Sequence, residues 1–197
     1  APAIGAARTP RAHTDMRRTW LNLLGNQAVW LCAVAGAGRG LQWPALLAAT
    51  LFVASQLSTS PLPRVELRLL VLALACAWLV DGAAAAAGVV RYAAAPLGWM
   101  PPPWILALWA SFAMTINASM AFLQRNTALP VCFGLLLAPL AYLSASRGFD
   151  AVQLSPPAWK GLLTLGIGWS IALPLLCSAA RRWSRLAIRP PFSGARP

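Results

Sequence analysis

Residues 65–90, VELRLLVLALACAWLVDGAAAAAGVV, form one long apolar block near the middle of this 197-residue chain. A helix needs about 20 apolar residues to cross a bilayer, so this block predicts a transmembrane helix. Asp81 is the acidic residue that lies clearly inside it. A carboxyl within a membrane is costly unless it is protonated, paired or hydrated, which makes Asp81 a candidate for a functional role.

Five further apolar blocks flank this one, and the whole chain is 59% hydrophobic and 10% charged. A soluble domain carries about a quarter charged residues, so lipid is expected to cover part of this protein. We predict an all-α fold, an integral membrane bundle of about six transmembrane helices. The other predicted spans are residues 20–36, 43–58, 104–124, 129–146 and 159–182.

The two ends of the chain differ from the apolar blocks. Residues 1–15 have no apolar periodicity and include the single histidine, His13. We predict that they form a disordered leader and that Met16 is the natural start, with the leader as extra sequence. Residues 16–183 are then a six-span membrane domain, and residues 184–197 a basic cytoplasmic tail.

Basic residues are distributed unevenly between the loops. Sixteen Lys and Arg residues stand against four Asp and Glu residues, and twelve of the sixteen fall at the termini and in alternate loops. Cytoplasmic loops carry an excess of Lys and Arg, so both termini are predicted to lie in the cytoplasm of a bacterial inner membrane. Because the arginines cluster at the ends of blocks, we expect anionic lipid headgroups, and not nucleic acid, as their partners.

An ordered set of residues resembles a bacterial multi-pass membrane family catalogued as domain of unknown function 2878. The set is Asn22, Gln27, Trp30, Cys32, Glu66, Asp81, Pro103, Trp104, Leu108, Trp109, Phe112, Thr115, Asn117, Ser119, Pro139, Tyr142 and Pro157. Gln56 stands where the resemblance leads us to expect a histidine. The resemblance implies a helical inner-membrane protein, supplies no activity, and suggests a link to membrane-lipid modification.

Polar residues inside the predicted spans are the candidate site. Helix rise places most of them in the cytoplasmic half of the membrane and Asp81 in the outer half, where Arg91, Trp99 and Tyr142 could approach it. Two interpretations stay open: hydrogen bonds between helices, or a polar pocket that binds a ligand. The ligand-binding candidates are Asn22, Gln27, Gln56, Glu66, Asn117, Asp81, Trp109 and Tyr142.

Catalytic and metal-binding signatures are weak. No histidine lies within a span and the four cysteines have no C-x-x-C spacing, so we predict no metal, no cofactor and no catalytic residue. Three functions remain open: an accessory or lipid-binding component of a membrane-lipid pathway, a small transporter, or a lipid-modifying enzyme. General acid–base chemistry needs a titratable pair within reach, which makes the enzyme the weakest of the three. Expected partners are membrane lipids, and a membrane protein or a second copy.

Overall fold

Seven α-helices and two short strands make up the described part of the chain. The computed structural model describes the backbone of residues 10–188 and the side chains of residues 16–188. The elements are α1 (Pro10–Ala37), α2 (Trp43–Thr59), α3 (Pro63–Ala77), α4 (Ala83–Ala86), β1 (Val90–Tyr92), α5 (Pro103–Ala113), α6 (Ala128–Phe149), β2 (Val152–Leu154) and α7 (Ala158–Ile188). The predicted helical architecture is confirmed.

Within residues 10–188, three helices are long and apolar enough to cross a membrane. They are the continuous segment Pro63–Ala86, α6 and α7, while α2 and α5 are shorter apolar helices. Proline occupies the first turn of α2, α3 and α5, where its missing N–H costs nothing. The predicted leader falls partly on residues 1–9, outside the described residues, and α1 begins at Pro10. The predicted tail begins inside α7, and its residues 189–197 also lie outside the described residues.

A π-helical turn, Trp78–Gly82, joins α3 to α4. The predicted third span ended at Val90, which is wrong because the helix ends at Ala86 and Gly88 adopts a φ of +69°. The chain then forms β1, which pairs antiparallel with β2 in the register Val90↔Leu154 and Tyr92↔Val152. These strands are not predicted from the sequence, because each one directly follows or precedes a long apolar block.

The two strands mark one end of the bundle, called here the strand end. The turn between α1 and α2 lies at the same end, because the Gln42 side chain donates a hydrogen bond to the Ala94 carbonyl just after β1 (2.7 Å). The loops that follow α1, α4 and α6 therefore share one end of the bundle. Helices that run alternately in opposite directions would place these three loops at the same end.

The predicted fourth span, residues 104–124, is only half helical. Helix α5 ends at Ala113, residues 114–120 form successive turns, and a 3₁₀ helix follows at Ala121–Arg125. The run Thr115-Ile116-Asn117-Ala118-Ser119 explains the break, since β-branched residues, Asn and Ser favour non-helical backbone. Ser111, Thr115 and Ser119 recur every four residues, a spacing that would place them on one helix face, but the helix ends before Thr115 and Ser119. We call residues 114–120 the turn segment.

Candidate functional site

Asp81 lies on the π-helical turn and is fully buried. Its Oδ1 accepts hydrogen bonds from the hydroxyls of Tyr92 (2.7 Å) and Tyr142 (2.5 Å), and its Oδ2 accepts one from the indole N–H of Trp109 (2.7 Å). Both oxygens therefore have hydrogen-bond partners within the protein. The three donors are neutral, and they come from β1, α6 and α5. Single π-helical turns occur often at functional sites.

The expected surroundings of Asp81 are confirmed in one respect and wrong in another. Tyr142 contacts the carboxyl, as helix rise predicted. Arg91 and Trp99 are exposed and are not among its hydrogen-bond partners. Tyr92, adjacent to Arg91 in β1, takes their place because neighbouring residues of a strand point to opposite faces. The signal that could have identified Tyr92 is its position in a short β-branched run that follows a glycine.

Aromatic side chains extend from this carboxyl into the bundle. Trp109 stacks on Trp169 of α7 with ring centroids 4.0 Å apart and an interplanar angle of 19°, and Phe112 meets Trp169 edge to face at 5.2 Å. The indole N–H of Trp169 points to the Tyr142 hydroxyl at 3.4 Å. A tryptophan inside a predicted span is expected either to pack between helices or to form a stacking wall for a ligand. Trp169 packs against two other rings and also lines a cavity.

A cavity of about 330 Å³ lies between α1, α5, α6 and α7, and we call it the aromatic cavity. Its size falls at the lower end of the range for small-molecule sites, about 300–1,000 Å³. Seven aromatic residues contribute to its wall: Trp30, Trp104, Trp109, Phe112, Phe133, Tyr142 and Trp169. Helix α1 packs mainly on α2 and α5, whereas α6 packs mainly on α7. The wall residues Gln27 of α1 and Leu137 of α6 are exposed, so the cavity opens sideways between these helices.

A second polar group surrounds Asn22 of α1, which is buried at the end of the bundle opposite the strands. Its Nδ2 donates to Gln56 Oε1 (2.8 Å) and to the Met114 carbonyl (3.0 Å). Its Oδ1 accepts from the hydroxyl (2.6 Å) and the backbone N–H of Ser119 (3.3 Å). Asn22 thus supplies hydrogen bonds to the turn segment, whose backbone does not form the regular hydrogen bonds of an α-helix.

The other half of this polar group involves Glu66 and Asn117. Asn117 donates to Glu66 Oε1 (3.2 Å) and accepts from Gln124 Nε2 (3.0 Å), which also bonds the Ile116 carbonyl (2.9 Å). Arg181 of α7 donates to the Gln124 carbonyl (2.7 Å). The remaining carboxyl oxygen of Glu66, Oε2, is buried without a hydrogen-bond partner. Ser119, Gln124 and Arg181 were not among the predicted site residues.

The predicted candidates therefore divide among four places. Asn22 and Gln56 lie together, Glu66 and Asn117 lie together, and Gln27 lies apart from both, at the mouth of the aromatic cavity. The turn segment links the first two pairs, because Asn22 bonds Met114 and Ser119 of this segment and Asn117 belongs to it. Asp81, Trp109 and Tyr142 form the remaining cluster. Among the side chains of residues 16–188, no three His, Cys, Asp or Glu residues lie close enough to bind a metal.

Fold and site together define the class: an α-helical protein with three helices capable of crossing a membrane and a buried carboxyl behind an aromatic cavity. The chain belongs to the family described as protein of unknown function (DUF2878), whose model matches residues 19–175. This confirms the family resemblance found in the sequence. Searches of curated proteins and of solved structures give no match.

Proposed function

We propose that this chain is a six-span protein of the bacterial inner membrane that binds an apolar molecule from the bilayer in the aromatic cavity. In this proposal both termini face the cytoplasm, and the protein is a lipid-binding or accessory component of a membrane-lipid pathway. The observation that carries the proposal is the aromatic cavity itself, which is mostly apolar and opens sideways between α1 and α6. In a bilayer, this mouth would face lipid.

The outer surface of the helices supports a membrane location. Leu79 is 74% exposed, Val71 is 67% exposed and Ile171 is 66% exposed. These side chains belong to a large set of outward-facing Leu, Ile, Val and Trp residues on every long helix. A soluble monomer rarely exposes a contiguous apolar surface of this kind, whereas lipid would cover it favourably.

The hydrogen bonds of the turn segment support the proposal that the fourth predicted span, residues 104–124, crosses the membrane. Backbone groups at membrane depth must find partners within the protein, and non-helical backbone is tolerated there only where the protein buries it. Met114, Thr115 and Ile116 are buried. Asn22 and Gln124 bond the carbonyls of Met114 and Ile116. Together, α5, the turn segment and the 3₁₀ helix would complete a crossing that α5 alone is too short to make.

The topology can be tested with reporter fusions. A reporter active only in the cytoplasm should work when fused after residue 197 and fail when inserted at Gly40, in the turn between α1 and α2. A reporter active only outside the cytoplasm should give the reverse pattern. If both insertions report the same side, the alternating arrangement of the six spans is incorrect.

Ligand binding can be tested by analysing the lipids that co-purify with the protein. Ala138 lines the cavity, so Ala138→Phe should fill part of it. Leu136 of the same helix faces outward, so Leu136→Phe is a matched control. We expect mass spectrometry to find an apolar species enriched over the bulk membrane extract in the native protein and the control, and lost from Ala138→Phe. Identical lipid profiles for all three proteins would contradict the proposal.

A small transporter is the second candidate function. The interrupted fourth crossing favours it, since carriers build substrate sites at discontinuous helices. Accumulation of labelled substrate by vesicles that contain the purified protein would support this function. Stable binding without movement across the vesicle membrane would favour the lipid-binding role.

A further inference from the structure

We propose that the ligand of the aromatic cavity carries an organic ammonium group. This inference rests on the proposed function, because it assigns the head-group chemistry of a molecule that the cavity is proposed to bind. Three independent features of the wall support it: its aromatic faces, its hydrogen-bonding capacity and the carboxyl behind it.

The first feature is the density of aromatic rings. Trp30, Phe112 and Trp169 reach the cavity from three helices, α1, α5 and α7. Aromatic faces attract cations through the ring quadrupole, and tryptophan does so most strongly. Aromatic cages are the common protein solution for binding quaternary ammonium groups. An aliphatic wall would hold an alkyl chain equally well without providing this attraction.

The second feature is that four donors of the wall are already engaged. The indole N–H groups of Trp104, Trp109 and Trp169 donate to Ala93, Asp81 and Tyr142, respectively. The Tyr142 hydroxyl also donates, to Asp81. These four groups therefore offer no hydrogen bond to an anionic or ester head group.

An acceptor in the same wall remains free. Asn26 Oδ1 is buried and has no hydrogen-bond partner among the described residues. An unpaired buried acceptor is costly, and a ligand that donates a hydrogen bond or brings a positive charge would relieve this cost. Neither an ester nor a phosphate can do so.

The third feature is the acidic side chain of Asp81. Tyr142 and Trp109 both line the cavity and both bond Asp81, so one layer of side chains separates its carboxyl from the cavity. Its three hydrogen-bond donors are neutral. A buried carboxyl is costly to ionise unless a positive charge lies near it. A cation in the cavity would supply that charge without direct contact and would favour the ionised form.

The test uses probes of matched chain length and different head groups. The purified full chain in nanodiscs is titrated with dodecyl chains that carry a trimethylammonium, a hydroxyl or a sulfate group, added at equal mole fraction of lipid. A bromine at the chain tip quenches nearby tryptophans and reports binding. We expect the trimethylammonium probe to bind about tenfold more tightly than the alcohol, and the sulfate to bind more weakly than either.

Variants locate the source of this preference. Asp81→Asn should reduce the preference for the cation while keeping alcohol binding, which also shows that the variant is folded. If Asp81→Asn does not fold, Trp30→Leu removes an aromatic face while leaving Asp81 in place, and should reduce the same preference. Trp78→Leu is the matched control, since Trp78 is exposed and does not line the cavity.

The possible outcomes separate the two proposals. Equal binding of all three probes, lost in Ala138→Phe, would overturn the ammonium assignment and leave the lipid-binding function intact. Absence of probe binding, or binding that Ala138→Phe does not change, would overturn the proposed function itself. A competition arm with tetramethylammonium distinguishes a soluble amine, which would displace the long-chain probe, from a lipid head group, which requires the chain. Displacement by tetramethylammonium supports a site for a soluble amine, and a retained preference for the trimethylammonium probe without displacement supports a lipid head group.

Discussion

Gly134 of α6 lies directly against the backbone of Trp169 in α7. A Cβ built on Gly134 would stand 2.5 Å from the Trp169 carbonyl oxygen, which is closer than real side chains approach. This contact sets the distance between the two helices whose side chains form one wall of the aromatic cavity. Small residues at helix contacts allow this close approach.

Gly134→Val should therefore destabilise the protein and change the cavity. Forcing apart a close-packed contact costs about 1–3 kcal/mol. We expect a lower free energy of unfolding in bicelles and altered tryptophan fluorescence from Trp169. Gly148→Ala is the control in the same helix, because a Cβ there meets no other atom within 4 Å. Similar losses in both variants would contradict the importance of the Gly134 contact.

Asn22→Ala should destabilise the bundle more than any other single amide removal. The substitution removes the bonds to Gln56, Met114 and Ser119, and buried hydrogen bonds contribute about 0.5–1.5 kcal/mol each. Gln27→Ala on the same helix removes an exposed amide and should change stability little. The measurement is unfolding monitored by circular dichroism. Equal stability of the two variants would show that the turn segment does not depend on Asn22.

Tyr92 and Tyr142 should be energetically coupled, because both donate to the same oxygen of Asp81. Each Tyr→Phe substitution alone leaves that oxygen one donor, and should cost about 0.5–1.5 kcal/mol. The double variant leaves the oxygen without a tyrosine donor, so its loss should exceed the sum of the two single losses by about 0.5 kcal/mol or more. A double-mutant cycle measures this excess. Strict additivity would mean that the two hydroxyls act independently.

The two buried acids should respond in opposite ways to replacement by the amide. Glu66→Gln removes the charge from a carboxyl whose Oε2 is unpaired, so stability should be unchanged or rise by up to about 1 kcal/mol. Asp81→Asn places an amide N–H₂ toward one of three donors and should be destabilising. Thermal unfolding of the two variants tests this contrast. A loss of stability in Glu66→Gln as large as that in Asp81→Asn would show that the Glu66 charge has a partner.

Depth along a helix predicted some of these contacts from sequence. Tyr142 was placed near Asp81 because both lie in long apolar blocks that run between the same two ends. Helix periodicity is regular in such blocks, so residue depth follows from sequence number. The same reasoning placed Glu66 and Asn117 at a common depth, and they do form a hydrogen bond.

Breaks in helical periodicity explain the contacts that could not be predicted from the sequence. The run after Ala113 was assigned to a helix on its apolar composition, although Thr115 and Asn117 have low helix propensity. The lateral position of a residue around its helix depends on packing, which sequence spacing does not give. This is why Gln27 was grouped with Asn22 but lies at the cavity mouth.

The hydrogen bonds of the turn segment also impose an order on biogenesis. Residues 114–120 are synthesised in the middle of the chain, yet Asn22 lies on the first helix and Arg181, which bonds the Gln124 carbonyl, on the last. Chains emerge from the ribosome N-terminal end first. The segment can therefore contact α1 as it is made, whereas Gln124, which bonds the Ile116 carbonyl, receives its hydrogen bond from Arg181 only after α7 is made. A nascent chain that stops short of α7 lacks the Arg181 contact, a difference that proofreading proteases in the membrane could exploit.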